Sequence, residues 1–275
     1  MTIGKSISLF LIDGSTDGIV ACELYNWTGK GYKIPRKHLK SVSKRDDIRK
    51  SGVYFLIGRD EINGDSVYIG EAEDVYKRLL QHQERDFWNE CLVFISKDDN
   101  LNKAHAKYLE YTLYRSATET GRFKVLNTNK PNLPSISESD QAVMSEFSQN
   151  LRLLVGTLGY RIFENLTRHR IQKSEFYYIS AVRGAKASGI LTSEGMVVFK
   201  NSLIATSEVP SIPKAVELKR LSLQESGIIK DLQFSKDYLF SSPSFAAAVV
   251  MGRSANGLIE WKKADGSSMK ENQPK

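Results

Sequence analysis

The chain has 275 residues, of which 41% are hydrophobic and 26% are charged. This composition is typical of globular proteins, and the length allows two domains that each bury a core, so a chain that is disordered throughout is excluded. The formal net charge of +7 and the isoelectric point near 9.2 favour polyanionic partners, although many basic proteins bind none.

The two cysteines, Cys22 and Cys91, lie far apart without metal-binding spacing, so neither a disulfide framework nor a zinc site is predicted. No apolar run approaches the length of a membrane span, and residues 1–18 lack the apolar segment of a signal peptide. We therefore expect a soluble, cytoplasmic protein that does not insert into membranes.

The first predicted elements are a β-hairpin and a basic segment. Residues 6–13 and 18–25 have the composition of two strands separated by a Gly/Ser/Asp turn. Residues 32–50 follow and carry eight lysines and arginines against two aspartates. Two interpretations of this basic segment stay open: a surface that contacts phosphate groups, or a solvated helix face. The candidates for phosphate contact are Lys33, Arg36, Lys37, Lys40, Lys44 and Arg45.

Residues 51–70 predict a second hairpin, because apolar residues alternate in two short runs. Tyr54 and Tyr68 each leave their strand on the face opposite the apolar side chains. Between the runs, Asn63-Gly64-Asp65 supplies turn chemistry. The apolar side chains of the two strands are Val53, Phe55 and Ile57 in the first and Val67 and Ile69 in the second.

Residues 74–83 have helical spacing, and Asp74 is the expected N-cap. Arg78 and His82 are four residues apart, so they share a helix face. Residues 91–96 predict a strand, 101–117 a helix that ends at Gly121, and 123–126 a short strand before a loop. The order strand, strand, helix, strand, helix, strand indicates an α+β fold with a small mixed sheet flanked by helices.

This stretch resembles the GIY-YIG nuclease family over about residues 51–134. Gly52-Val53-Tyr54 stands where the family has its first tripeptide, with valine for isoleucine, and Tyr68-Ile69-Gly70 matches the second. The continuation EAEDVYKRLLQH is similar to the family's first helix, which contributes an arginine and, in many members, a histidine. Glu110 in KYLEYTLYR and Asn127 in VLNTNKP stand where the family has a metal-binding glutamate and an asparagine.

The resemblance implies a metal-dependent endonuclease that hydrolyses phosphodiester bonds in DNA, with RNA left open as a substrate. One Mg²⁺ or Mn²⁺ would be held by Glu110. A tyrosine with an ordinary pKa of about 10 is a poor base, so positive charge from Arg78 and the metal must lower the pKa of Tyr54, the leading candidate for general base. The implied catalytic residues are Tyr54 as base, Tyr68 to orient water or phosphate, Arg78 to bind phosphate, His82 to assist proton movement or contact phosphate, Glu110 for the metal and Asn127 to support the geometry on the metal side.

A second hypothesis, from a different class of protein, is a catalytically inactive nuclease fold that binds nucleic acid or acts in regulation. Tyr54, Arg78 and Glu110 together favour the enzyme, since a module without catalysis has no chemical need for all three. Glu71 directly follows the second tripeptide. Its negative charge repels DNA unless the side chain points away or joins the metal.

Residues 143–158 predict a helix with an apolar stripe, and Ser137 with Asp140 has capping-box-like spacing at its start. After a boundary between residues 160 and 172 we predict strands at 176–182, 190–191, 196–199 and 232–234 and a helix at 213–226. Ser241-Ser242-Pro243 before the run FAAAVVMG predicts a further helix, with a serine cap and proline in its first turn, which Gly252 ends. RGAKASG at 183–189 is predicted to be a turn and LIEWK at 258–262 a closing strand.

This C-terminal part resembles a domain of unknown function that is often found behind nuclease or restriction modules. The matching stretches are GAKASG and FSSPSFAAAVVMGRSANGLIEWK. The predicted organisation is an N-terminal β-hairpin and basic segment (1–50), a GIY-YIG nuclease module (51–134), a helical connector (135–172) and a second α+β domain with a frayed tail (173–275).

Overall fold

The computed structural model describes residues 4–59, 64–166 and 173–272. It confirms the predicted α+β class: helices pack on largely antiparallel sheets. Contacts between residues divide the chain into two compact units, Met1–Glu164 and Asn165–Lys275. Within the described ranges, no helix combines the length and apolarity needed to cross a bilayer.

The N-terminal unit is built on one seven-stranded sheet with the strand order β1-β2-β3-β6-β4-β5-β7. Its pairs are antiparallel except for β5 and β7, which run parallel, so the sheet is mixed as predicted. The strands are β1 (Ile7–Leu11), β2 (Val20–Leu24), β3 (Gly29–Pro35), β4 (Gly52–Gly58), β5 (Ser66–Ala72), β6 (Glu90–Ser96) and β7 (Lys124–Val125).

The N-terminal hairpin belongs to the same sheet as the nuclease-like strands, because β3 pairs with β2 on one side and with β6 on the other. Gly31 in β3 permits this packing, since a Cβ there would lie 2.5 Å from the Cys22 sulfur and 2.7 Å from the Phe94 ring. The basic segment continues from β3 into two short 3₁₀ turns, Arg36–Val42 and Asp46–Arg49. The turns bury Leu39, Val42 and Ile48 and leave most of the basic side chains outside.

Helices cover both faces of this sheet. The predicted helices are confirmed as α1 (Val75–Gln81), α2 (Lys103–Thr120) and α3 (Glu138–Thr157). On one face, α2 and α3 pack on Val53 and Phe55, and on the other, α1 packs on Tyr54 and Leu56. The period-two pattern of β4 is therefore confirmed, with opposite faces buried under different helices. The turn predicted at Asn63 and the boundary at residue 172 lie outside the described residues.

The caps of these helices follow the predicted chemistry. Asp74 accepts a bond from the Lys77 N–H at 2.8 Å and starts α1, and Ser137 accepts one from the Asp140 N–H at 3.1 Å and starts α3. Gly121 ends α2 in the left-handed conformation at φ 64°. The apolar stripe of α3 is buried against the sheet, so the segment predicted as a connector also completes the core of this unit.

The C-terminal unit contains a four-stranded antiparallel sheet in the order β13-β10-β9-β8 and a short pair, β11-β12. Its strands are β8 (Phe176–Ser180), β9 (Lys186–Thr192), β10 (Gly195–Val198), β11 (Ile229–Lys230), β12 (Gln233–Phe234) and β13 (Tyr238–Phe240). The helices α4 (Lys214–Glu225) and α5 (Pro243–Met251) contribute to its core. Ser242 caps α5 and Gly252 ends it at φ 62°, as predicted.

Two predictions for this unit are wrong. Residues 186–189 were predicted to lie in a turn, but they form the first half of β9, where Ala187 and Gly189 pack inward. The closing strand predicted at 258–262 is instead a helical turn, α6 (Gly257–Glu260), followed by buried Trp261, whose indole N–H donates to the Pro243 carbonyl at 3.0 Å. The Met269 side chain is buried, and its N–H donates to the Trp261 carbonyl at 2.9 Å. The chain after Trp261 therefore stays packed on this unit as far as Met269.

Candidate active site

The hairpin of β4 and β5 places Tyr54 and Tyr68 on the same face. Tyr54 lies opposite Gly70, and Tyr68 lies opposite Leu56, so the tyrosines are diagonal neighbours with ring centroids 6.2 Å apart and planes 28° apart. A Cβ at Gly70 would overlap the end of the Tyr54 ring. Glycine in the second tripeptide therefore gives the Tyr54 ring its space.

Helix α1 adds Arg78 and His82 to the two tyrosines. The Tyr54 hydroxyl lies 2.8 Å from His82 Nε2, and Arg78 Nε–H donates to the same hydroxyl at 3.4 Å. His82 is held at the end of α1, where its carbonyl accepts a 2.9 Å bond from the Trp88 indole N–H. The predicted common face of Arg78 and His82 is confirmed, and both reach Tyr54.

Burial shifts the pKa values of this cluster strongly. Tyr54 is 0% exposed, and this burial, with the neighbouring Tyr68, raises the pKa of its hydroxyl although Arg78 opposes the shift. Burial together with Arg85 and Arg78 lowers the pKa of His82 to about 4. The imidazole is therefore neutral near pH 7, and we assign Nε2 as the acceptor of the Tyr54 proton, because Arg78 already donates to that oxygen.

The sequence motif did not mark Arg85, which the structure adds to the site. Its guanidinium lies over the Tyr68 ring, 5.1 Å from the centroid, and its charge helps to lower the pKa of His82. In the sequence it is one charged residue in the polar QERD segment after α1, which carries no periodic signal. Two arginines thus flank the buried Tyr54–His82 pair.

Glu110 lies on α2 at the border of the sheet. Burial and the nearby Glu71 carboxylate raise the pKa of Glu110 to about 7, while Lys107 and Arg78 act in the opposite direction. Burial also raises the pKa of Glu71. The charges of Glu71 and Arg78 therefore both act on Glu110, and the charge of Arg78 also acts on Glu71, while the Arg78 Nε–H donates to the Tyr54 hydroxyl.

Glu110 and Glu71 are the carboxylates that would hold a divalent cation at this place. Two carboxyl groups that repel each other in a partly dry place are stabilised by a positive charge between them. Among the described residues, no group of three or more His, Cys, Asp and Glu side chains is placed to hold a metal. The protein would therefore supply Glu110 and Glu71, and Mg²⁺ commonly binds through one or two carboxylates while it keeps several waters.

Asn127 binds the second tripeptide from the outer edge of the sheet. Its Oδ1 accepts a 3.0 Å bond from the Ile69 N–H, and its Nδ2 donates to the Ile69 carbonyl at 2.7 Å. Strand β7 ends before this point, so the side-chain amide replaces a missing strand partner and satisfies both backbone groups. In the structure Asn127 supports the strand that carries Tyr68.

The basic segment separates into two groups. Lys33 pairs with Glu90 at 3.3 Å, and Arg36 donates to the carbonyls of Gln83 and Trp88, so both help to hold the fold together. The Arg45 guanidinium lies 5.8 Å from the centroid of the buried Tyr32 ring. The exposed members are Lys37, whose ammonium lies 3.9 Å from the Asp17 carboxylate, Lys40 and Lys44.

Comparison with known proteins adds a domain but no activity. The model of DUF4357, a domain of unknown function, matches residues 177–273. No curated protein and no solved structure matches the chain. The match supports the predicted C-terminal domain of unknown function and lies outside residues 51–134, so the nuclease resemblance rests on the motif and the geometry described above.

Proposed function

We propose that residues 51–134 form a metal-dependent endonuclease that hydrolyses phosphodiester bonds in DNA. The observation that carries the proposal is the hydrogen-bonded row of Arg78, Tyr54 and His82 beside the carboxylate pair of Glu110 and Glu71. It combines a proton acceptor, a phosphate-binding cation and a place for a metal ion. These are the groups that phosphodiester hydrolysis requires.

Proton removal from the attacking water is assigned to the Tyr54–His82 pair. The raised pKa of Tyr54 opposes a free tyrosinate, but the hydroxyl can pass its proton to neutral His82 over 2.8 Å as it takes one from the water. Tyr54 is fully buried and Tyr68 is only partly buried, so water that enters from solvent meets Tyr68 first and must pass it to reach the Tyr54 hydroxyl. Tyr68 orients that water.

Charge on the phosphate is balanced by Arg78 and by the ion that Glu110 and Glu71 would hold. Arg78 presents a planar guanidinium that suits two phosphate oxygens. The ion, when bound, neutralises negative charge on the phosphate and on the departing 3′ oxygen. A bound cation would also neutralise the charge of Glu71, so this carboxylate would no longer repel the DNA phosphate although it directly follows the second tripeptide.

Contact with the DNA backbone is assigned to Lys37, Lys40 and Lys44. These side chains are exposed, and the net charge of the chain is +7. Neutralisation of phosphates by lysines releases counterions, so binding weakens steeply as salt rises. Lys40→Gln with Lys44→Gln should lower both the affinity and its salt dependence, whereas Lys214→Gln, at an exposed lysine of the C-terminal unit, should change neither.

The test of the activity incubates the purified chain with supercoiled, linear and branched DNA and with RNA, with and without Mg²⁺ or Mn²⁺. Metal-dependent cleavage that is lost in Tyr54→Phe and Glu110→Gln supports the proposal. The control Tyr25→Phe, at a tyrosine that is 77% exposed, should cleave normally. Absence of cleavage, or cleavage that persists in both variants, contradicts the proposal, and DNA binding without cleavage favours the inactive nuclease fold.

A further inference from the structure

Strand β1 forms one edge of the seven-stranded sheet, and within the described residues no strand pairs with its outer side. The strand reads ISLFL, and Leu9, Phe10 and Leu11 are 51%, 63% and 37% exposed. Edge strands usually carry a lysine, a proline or a β-bulge, because unpaired backbone N–H and C=O groups can otherwise form hydrogen bonds with a strand of another molecule. Strand β1 has none of these protections.

The hydrogen-bond pattern of the hairpin shows which backbone groups face outward. The Tyr25 N–H donates to the Ser6 carbonyl at 3.0 Å, and the Ile12 N–H donates to the Ile19 carbonyl at 2.9 Å. The backbone N–H and C=O groups of the even-numbered residues of β1 therefore point to β2, and those of the odd-numbered residues point away from it. In an antiparallel pair the hydrogen-bonding side alternates from residue to residue. The outward residues are therefore Ile7, Leu9 and Leu11, and among the described residues the Leu11 carbonyl alone of these backbone groups has a donor, the Gly14 N–H at 3.2 Å.

We propose that β1 pairs with β1 of a second copy of this chain, antiparallel and centred on Leu9. In this register Leu9 faces Leu9, and Ile7 faces Leu11 of the other copy. The outward residues of the two strands then meet each other, as an antiparallel ladder requires. The product is one continuous sheet through both copies, with a two-fold axis at Leu9.

The segment around β1 is complementary to itself, which favours a second copy over another protein. Apolar Ile7 and Leu11 lie two residues on either side of Leu9, and the strand contains no charge. Four residues away, Lys5 on one side matches Asp13 on the other, so antiparallel pairing brings each lysine near the aspartate of the other copy. In the single chain the Lys5 ammonium donates to Asn150 Oδ1 at 2.8 Å, and pairing of two copies would exchange this bond for one to the Asp13 carboxylate.

Sedimentation of the full chain over a concentration series tests the proposal. Wild type should approach twice the chain mass of 31.0 kDa at high concentration. Leu9→Lys and Leu9→Glu place like charges opposite each other on the two-fold axis, so each alone should dimerise more than about tenfold more weakly. An equal mixture of the two variants should dimerise again, because a lysine then faces a glutamate.

The matched control is Val143→Lys on α3, at a side chain that is 59% exposed, and it should dimerise like wild type. Circular dichroism and urea unfolding of each variant establish that the exposed substitutions leave the fold intact. A wild-type chain that stays monomeric at every concentration overturns the proposal. Dimers that persist in Leu9→Lys, or a mixture that fails to dimerise, overturn the pairing centred on Leu9.

Discussion

Replacement of Glu110 by glutamine tests the electrostatics of the carboxylate pair without any assumption about activity. The pKa of Glu110 is about 7 in the folded chain against an ordinary value of 4.5. Between these values the folded state holds a proton that the unfolded state has lost, so this group makes the protein less stable as pH rises from 4.5 to 7. Glutamine has nearly the same shape and carries no charge, so it should remove this effect.

The magnitude follows from the size of the shift. A shift from 4.5 to about 7 corresponds to at most about 3 kcal/mol, at roughly 1.4 kcal/mol for each pKa unit. Because the side chain is partly exposed, solvent screening reduces this to on the order of 1 kcal/mol. Glu110→Gln should therefore be about 1 kcal/mol more stable than wild type at pH 8 and equal to it near pH 4.

Urea unfolding followed by tryptophan fluorescence, in the presence of a chelator, measures this difference. The control is Glu119→Gln on the opposite flank of α2, where the carboxylate is exposed and paired with Arg115 at 3.0 Å. At pH 8, Mn²⁺ should stabilise wild type and not Glu110→Gln, since only wild type offers both carboxylates. A variant that is equally or less stable than wild type at pH 8 without metal would refute the raised pKa of Glu110, which burial and, to a smaller extent, Glu71 produce.

Three further predictions concern the neighbouring residues. Gly70→Ala should cost on the order of 1–3 kcal/mol of stability and abolish cleavage, because a methyl group there displaces the Tyr54 ring; normal activity in this variant would contradict the packing. Asn127→Ala should cost about 2 kcal/mol, since both backbone groups of Ile69 lose their partner, and Asn127→Asp should not restore stability, because a carboxylate oxygen would replace the Nδ2 donor and face the Ile69 carbonyl, which is also an acceptor. Between pH 4 and 6.5 His82 by itself makes the protein more stable as pH rises, because the unfolded histidine takes up a proton there and the folded one, with its pKa lowered to about 4, does not. This contribution opposes that of Glu110, so the stability of His82→Gln should fall more steeply, or rise less, with pH over this range than that of wild type, which urea unfolding at several pH values measures.

Local patterns in the sequence predict the elements of the candidate site well. The alternation in β4 places Tyr54 opposite the apolar side chains, and the four-residue spacing on α1 brings Arg78 and His82 to one face. Both relations depend on a strand period of two and a helix period of 3.6, which act within a few residues. The caps at Asp74 and Ser137 are predictable for the same reason.

Relations between distant segments are not predictable in this way. Strand β3 has two glycines and two lysines among its seven residues, so its own propensity for a strand is weak, and its pairing with β6 maintains it. The strand predicted at residues 258–262 is wrong for a related reason. Trp261 is buried by tertiary contacts, and a short helical turn that packs on a core has the same apolar composition as a short buried strand. Arg85 joins the site only because the polar segment after α1 folds back over Tyr68.

The second tripeptide shows how these two kinds of information meet. Gly70 has no side chain to contribute, yet the Tyr54 ring from the neighbouring strand occupies the space beside it, 16 residues earlier in the chain. Ile69, between Tyr68 and Gly70, turns its backbone to Asn127, which lies 58 residues later. A motif of three residues thus reflects a contact made by Tyr68, a space left by Gly70 and two backbone hydrogen bonds of Ile69, and in each case the partner comes near only in the folded sheet. For this reason a substitution at Gly70 or Asn127 should disturb the site as much as one at a tyrosine, although neither residue needs to contact the substrate.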